Sequence, residues 1–196
     1  LHIAAFLYDI AETIECLQEL IKKKISIKQG TMHELLTGKK RISGFTGKWE
    51  VKKLGDISEF YKGKNLSKGE IKRNGKSKCI HYGELFTIYS EKIKKIFSYT
   101  DMKNTYFLSK ANDVLMPTSD VTPNGLATAS CIGENNVILG SDILVIRSIN
   151  GVLDGVFLSY NIAYSKNQIM QLVTGSTVYH IYGSSMQNFK LNMPPT

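Results

Sequence analysis

Cysteine is scarce in this chain and badly placed for chemistry: Cys16, Cys79 and Cys131 are isolated, odd in number and without a Cys-x-x-Cys spacing. That pattern argues against a disulfide framework and a zinc site, and fits a reducing cytoplasm in which all three thiols serve packing. Histidine is equally sparse. His2, His33, His81 and His180 are scattered without metal-ligand spacing. The chain has no Gly-x-Ser-x-Gly, no His-Glu-x-x-His, no phosphate loop and no Gly-x-Gly-x-x-Gly, so no catalytic apparatus is legible.

Long hydrophobic runs are missing too. The opening LHIAAFLY meets Asp9 well before the roughly 20 apolar residues a membrane span requires, and no basic segment precedes it, so no membrane role is expected. No internal repeat or low-complexity tract is present. The segment Asn192-Met193-Pro194-Pro195 superficially resembles the Asn-Pro-Pro-aromatic motif of amino-methyltransferases. The extra Met breaks the spacing, no aromatic follows, and no cofactor loop accompanies it. The chain starts at Leu1 rather than at Met, as expected for a piece of something longer.

What is present is basic charge, unevenly spread. The 196 residues are 42% apolar, enough for one sizeable core and an appendage, and carry a net +8. Residues 1–110 hold 22 basic against 12 acidic groups, whereas residues 111–196 hold 3 against 5. A basic field on one part of a chain favours a polyanionic partner or an acidic protein surface.

The first 36 residues repeat apolar positions at three- and four-residue steps: Ile3, Leu7, Ile10, Ile14, Leu17, Ile21, Ile25, Met32 and Leu35. This spacing predicts a long amphipathic helix, about 50 Å at ~1.5 Å per residue, that needs a partner along its stripe. A break at Gly30, with Thr31 to Glu34 at capping-box spacing, is the rival reading. Met32 and Leu35 hold the phase of the stripe, which favours continuity. Gly38 is suited to the helix C-terminus, and Lys39, Lys40 and Arg41 complement its negative end.

Beyond Trp49 the pattern changes to short strands separated by turn residues, at 57–61, 79–82, 113–116, 126–132 and 143–147, with one helical segment at 154–164. The expected fold class is therefore α+β: a long N-terminal coiled-coil helix followed by a β-rich domain with one or two helices.

Three segments have the composition of a binding surface. Residues 60–68 contain Tyr61, Lys62, Lys64, Asn65 and Lys68, with Lys72, Arg73, Lys76 and Lys78 close behind. The lysines attract phosphate, while amide, hydroxyl and phenol groups supply directional hydrogen bonds. Residues 117–125 contain Ser119, Asp120, Thr122 and Asn124, pinned between Pro117 and Pro123 at the end of an apolar strand. Residues 174–180 contain Ser176, Thr177 and His180 beside Gly175, so the backbone there has room to approach a phosphate. A solvated basic loop, a connecting loop and a simple turn are the respective bland alternatives.

These residues lead to a resemblance. IKQGTMHELLTGKKRISGFTGKWEVKKLGDI, residues 27–57, closely resembles the junction between spacer helix and target-recognition domain in specificity subunits of type I restriction-modification systems. That family has Gln in place of His33, and Leu-Pro in place of Ile42-Ser43. IAAFLYDIAETIECLQELI upstream is similar to the start of the spacer helix, and GSTVYHIYGSSMQNFKLNMPPT to the close of a recognition domain. HYGELFT, residues 81–87, is similar to a segment of one subgroup and adds Tyr82 and Thr87 to the candidate contacts.

The resemblance implies a division into a spacer helix with basic hinge, 1–44, and a DNA target-recognition domain, 45–196. It implies a non-catalytic subunit that reads one half of a bipartite double-stranded DNA target. Ile10, Ile14, Leu17, Ile21, Ile25, Met32 and Leu35 would dock methyltransferase subunits, with self-association through the helix as a further option. It implies no cofactor in this chain: S-adenosylmethionine would belong to the methyltransferase, and ATP and magnesium to the translocase-nuclease. The alternative from another class is a helix-mediated protein-interaction adaptor without DNA contact.

Overall fold

The computed structural model describes residues 2–101, 103 and 106–195, which fall into two compact units, 1–48 and 49–196. The first unit is dominated by helix α1 (His2–Leu36), which runs unbroken through Gly30. Continuity follows from the unbroken apolar phase; Gly30 lowers helix propensity by only about 1 kcal/mol. The helix ends as the sequence predicts. Gly38 adopts φ +70°, the Gly38 N–H donates to the Leu35 carbonyl at 3.3 Å, and Lys40 N–H donates to Glu34 at 3.0 Å. In the basic hinge, Lys39 Nζ lies 2.8 Å from His33 Nε2 and Arg41 donates to the Gly47 carbonyl.

In the second unit the strands are, in chain order, β1 (Glu50–Lys53), β2 (Ser58–Lys62), β3 (Ser77–Ile80), β4 (Lys92–Ile93), β5 (Ser98–Thr100) and β6 (Phe107–Leu108). They continue with β7 (Val114–Pro117), β8 (Ser119–Asp120), β9 (Ser130–Ile132), β10 (Ile138–Leu139), β11 (Ile143–Ser148), β12 (Tyr179–His180) and β13 (Lys190–Met193). Short helices α2 (Leu54–Ile57), α3 (Glu84–Thr87), α5 (Lys166–Met170) and α6 (Gly183–Met186) accompany the ten-residue α4 (Gly155–Tyr164). Asp154 caps α4, accepting from Phe157 N–H at 2.7 Å.

A five-stranded sheet of order β2-β11-β7-β9-β4 is the scaffold, flanked by a four-stranded sheet of order β5-β3-β10-β6. Side chains alternate between two buried clusters. Val114, Met116, Leu144 and Ile146 join Leu158 and Ile162 of α4, whereas Leu115, Ile143 and Val145 join Ile80 and Leu139 of the second sheet. Burial on both faces is why β7 and β11 read as continuous apolar runs rather than as polar-apolar alternation. β1 pairs antiparallel with β13, so the two ends of the unit meet: Glu50 lies opposite Met193.

Two sequence expectations are corrected. The strand expected over 126–132 is a strand only in its second half, because Pro123–Ala127 forms a 3-10 turn that buries Leu126. Pro123 at its start fixes φ near the helical value. Beyond Trp49, α4 is not the only helical segment. The additional helices are single turns, too short to produce a 3.6-residue period.

Candidate nucleic-acid interface

The binding segments are far apart in sequence, and the turn at 140–143 ties several of them together. Ile143 N–H donates to Gly140 at 3.2 Å to close the turn, Gly140 N–H donates to Ile80, Ser141 N–H to Asn65, and Thr118 N–H to the Asp142 carbonyl, the last three at 3.0 Å. Gly63 N–H donates to Ile143 at 2.9 Å. One rigid turn thus positions the basic segment, the end of β3 leading to HYGELFT, and the start of the 117–125 segment. The 174–180 segment is joined through the β8–β12 ribbon, with Ser119 opposite His180 and Asp120 opposite Tyr179.

Between these elements lies an open cleft of about 400 Å³, whose lining includes Lys62, Thr118, Ser119, Asp142, His180 and Tyr182. Lys62, Ser119 and His180 come from the three different segments singled out in the sequence. Phe86, which lies between Tyr82 and Thr87 in the sequence, borders the second segment: a Cβ at Gly125 would stand 3.1 Å from its ring, and the Tyr82 ring meets it edge-on at 6.4 Å. Thr87 is exposed and donates its hydroxyl to Gly83 at 3.1 Å.

The remaining candidates divide by how much their side chains already do. Asn65 is exposed, in left-handed backbone at φ +53°. Lys64 and Lys68 are exposed, and among the described residues neither carries an ion pair. Asp120 is occupied within its own loop, accepting from Val121 N–H at 2.7 Å and from the Thr122 hydroxyl at 2.8 Å. Asn124 is exposed beside it. Ser176 and Thr177 stand exposed at the tip of a hairpin closed by reciprocal hydrogen bonds between Thr174 and His180.

Tyr61 is more committed. Its hydroxyl donates to Glu59 at 2.6 Å, which holds the phenol above its ordinary pKa, and its ring lies 5.4 Å from Phe107. The Arg147 guanidinium sits 5.0 Å from the Tyr61 ring and 5.6 Å from that of Phe107, and donates in a fork to Asp113 at 2.8 and 2.7 Å. Arg147 is consequently a scaffold cation. Part of the basic field is spent similarly: Lys72 pairs with Asp101 at 2.8 Å and Lys78 with Glu134 at 2.5 Å.

Sequence reasoning overlooked Asp142 and Tyr182. Asp142 follows Gly140-Ser141 directly before the apolar run of β11, a turn signal that was there to be used. Tyr182, 52% exposed, stacks on His180 with ring centroids 6.1 Å apart, and only the fold brings it to the cleft. Burial lowers the His81 pKa, and its Nδ1 accepts from Gly83 N–H at 3.2 Å. Among the described residues no group of three or more His, Cys, Asp or Glu is arranged to hold a metal ion, and no helix is long and apolar enough to cross a membrane.

These features define a β-rich binding domain that presents loops of hydrogen-bonding side chains from a rigid double-faced sheet. The family model of the type I restriction modification DNA specificity domain matches residues 46–196, and the chain belongs to that family. Solved relatives share the fold. The S subunit of a type I restriction-modification system from M. genitalium is 18% identical, with TM-score 0.54 over 79% of this chain and 36% of that one. The HsdS subunit of Thermoanaerobacter tengcongensis is 14% identical, with TM-score 0.59 over 96% of this chain and 44% of its own. A type I R-M system structure concerned with complex assembly and conformational transition matches at 14% identity and TM-score 0.57, over 95% of this chain and 46% of that one. The present chain therefore spans less than half the length of each.

Proposed function

We propose that this chain is a DNA sequence-specificity subunit, or half of one, of a type I restriction-modification enzyme, reading one half of a bipartite target. The observation that carries this reading is the gathering of separate polar segments around one turn and one cleft, within a domain of the DNA specificity family. Residues 45–196 form the recognition domain and 1–44 the spacer helix with its hinge. Lys62, Lys64 and Lys68 meet phosphates, and the 117–125 and 174–180 loops approach bases and backbone. The exposed stripe of α1 docks methyltransferase subunits, and a translocase-nuclease completes the complex.

On this reading the chain is cytoplasmic, performs no catalysis and holds no cofactor; S-adenosylmethionine, ATP and magnesium serve the partner subunits. The adaptor alternative, without DNA contact, is not favoured by membership of a DNA specificity family. The test is binding to labelled duplex across a salt series. Replacing Lys62, Lys64 and Lys68 together by Ala should lower the slope of log affinity against log salt by up to roughly 0.9 per lost contact. An unchanged slope would reduce the segment to a solvated loop, and failure of the wild type to bind heparin or duplex would restore the adaptor.

A further inference from the structure

We propose that Asp142 recognises the exocyclic amino group of a cytosine or adenine, with Lys62 as its counter-ion until DNA arrives; this rests on the DNA-reading function proposed above. The turn that carries Asp142 is tied to three neighbouring segments through its backbone, so the side chain is presented from a fixed base. Among the described residues its carboxylate is engaged through charge rather than through a short hydrogen bond, acting on Lys62 and on the nearby His81. Among the described residues its one ion-pair partner is Lys62, with Nζ 3.9 Å from Oδ1, beyond hydrogen-bonding distance. Both side chains reach solvent, Asp142 at 44% and Lys62 at 65% exposure. Asp120 is differently placed, because its oxygens already serve Val121 and Thr122.

A carboxylate at a phosphate-binding surface is repelled by the polyanion, so its place in the cleft is favourable only opposite a hydrogen-bond donor. In the major groove, cytosine N4 and adenine N6 are such donors, whereas guanine O6 and N7 and thymine O4 are acceptors. An ionised Asp accepts only, and so rejects the latter pair by leaving both acceptors unpaired. Lys62 has a second use once DNA is present, since its flexible ammonium can leave Asp142 for a phosphate.

The experiment is enrichment of a randomised duplex library by the intact chain, compared between wild type, Asp142→Asn and Asp142→Ala. The wild type should enrich a motif with cytosine or adenine fixed at one position. Asp142→Ala should flatten that position by roughly 5- to 150-fold in discrimination. Asp142→Asn, whose amide both donates and accepts, should move it toward adenine, and both variants should retain selection elsewhere in the motif. Retained selection shows that the domain is still folded. A variant motif identical to the wild type, with affinity raised uniformly, overturns the proposal and leaves Asp142 as a counter-ion of Lys62. A wild type that enriches no sequence overturns the DNA-reading function itself, and this proposal with it.

Discussion

Gly63 is where a single residue controls the geometry of the candidate interface. A Cβ there would stand 2.0 Å from the Gly140 carbonyl oxygen and 2.8 Å from that of Leu139, so backbone on both sides would have to move. Gly63→Ala should cost about 1–3 kcal/mol and weaken duplex binding together with stability, as read from urea unfolding and a binding titration. The thiols give a second residue-scale expectation. Burial pushes Cys79 up to about 12 and Cys131 up to about 11, against an ordinary 9.0, while Cys16 is exposed on α1. Alkylation of the native chain should therefore label Cys16 first and reach the other two only on unfolding. Because these folded pKa values are raised, their contribution to stability is complete below about pH 9 and is lost as pH climbs toward 11 and 12. Unfolding midpoints that stay level across that window would contradict the burial of both thiols. Packing was the role expected of all three cysteines. The exposure of Cys16 shows why composition alone misleads: a lone cysteine carries no pattern that separates a buried face from an open one.

At the scale of elements, α1 was the most legible part of the chain. Its repeat extends over many turns, and a signal of that length outweighs one glycine. Leu17 and Ile21 are 53% and 59% exposed, an apolar stripe on a helix of 35 residues. Polar substitutions at both should abolish co-purification with the methyltransferase while the thermal transition of residues 49–196 stays unchanged; intact assembly would remove the helix as the docking element. The β-rich unit was legible in class and less so in detail. Strands of two residues such as β4, β6 and β12 are too short for any period to emerge, and they exist because β9, β10 and β8, remote in the chain, offer them a partner.

For the molecule as a whole, β1 and β13 close residues 49–196 into a unit with its own two-faced core. Expressed alone, this stretch should unfold in one cooperative transition and keep salt-dependent binding to duplex DNA, as followed by calorimetry and anisotropy. Loss of the transition would mean that the first 48 residues are needed for folding. The sequence by itself determined the long helix, the change to β structure after Trp49, the family through its helix junction, and which segments are rich in hydrogen-bonding groups. Each of these rests on local spacing or on contiguous residues. Only the tertiary structure decided that Tyr61, Lys62, Ser119, Asp142 and His180 share one cleft, and that Arg147 sits over the Tyr61 ring while its guanidinium forks to Asp113. Those outcomes depend on pairings such as Asp142 with Thr118, Ser141 with Asn65 and Ser119 with His180, made between segments distant along the chain. Such pairings are selected by the burial of both sheet faces at once, a condition that no local stretch of sequence expresses.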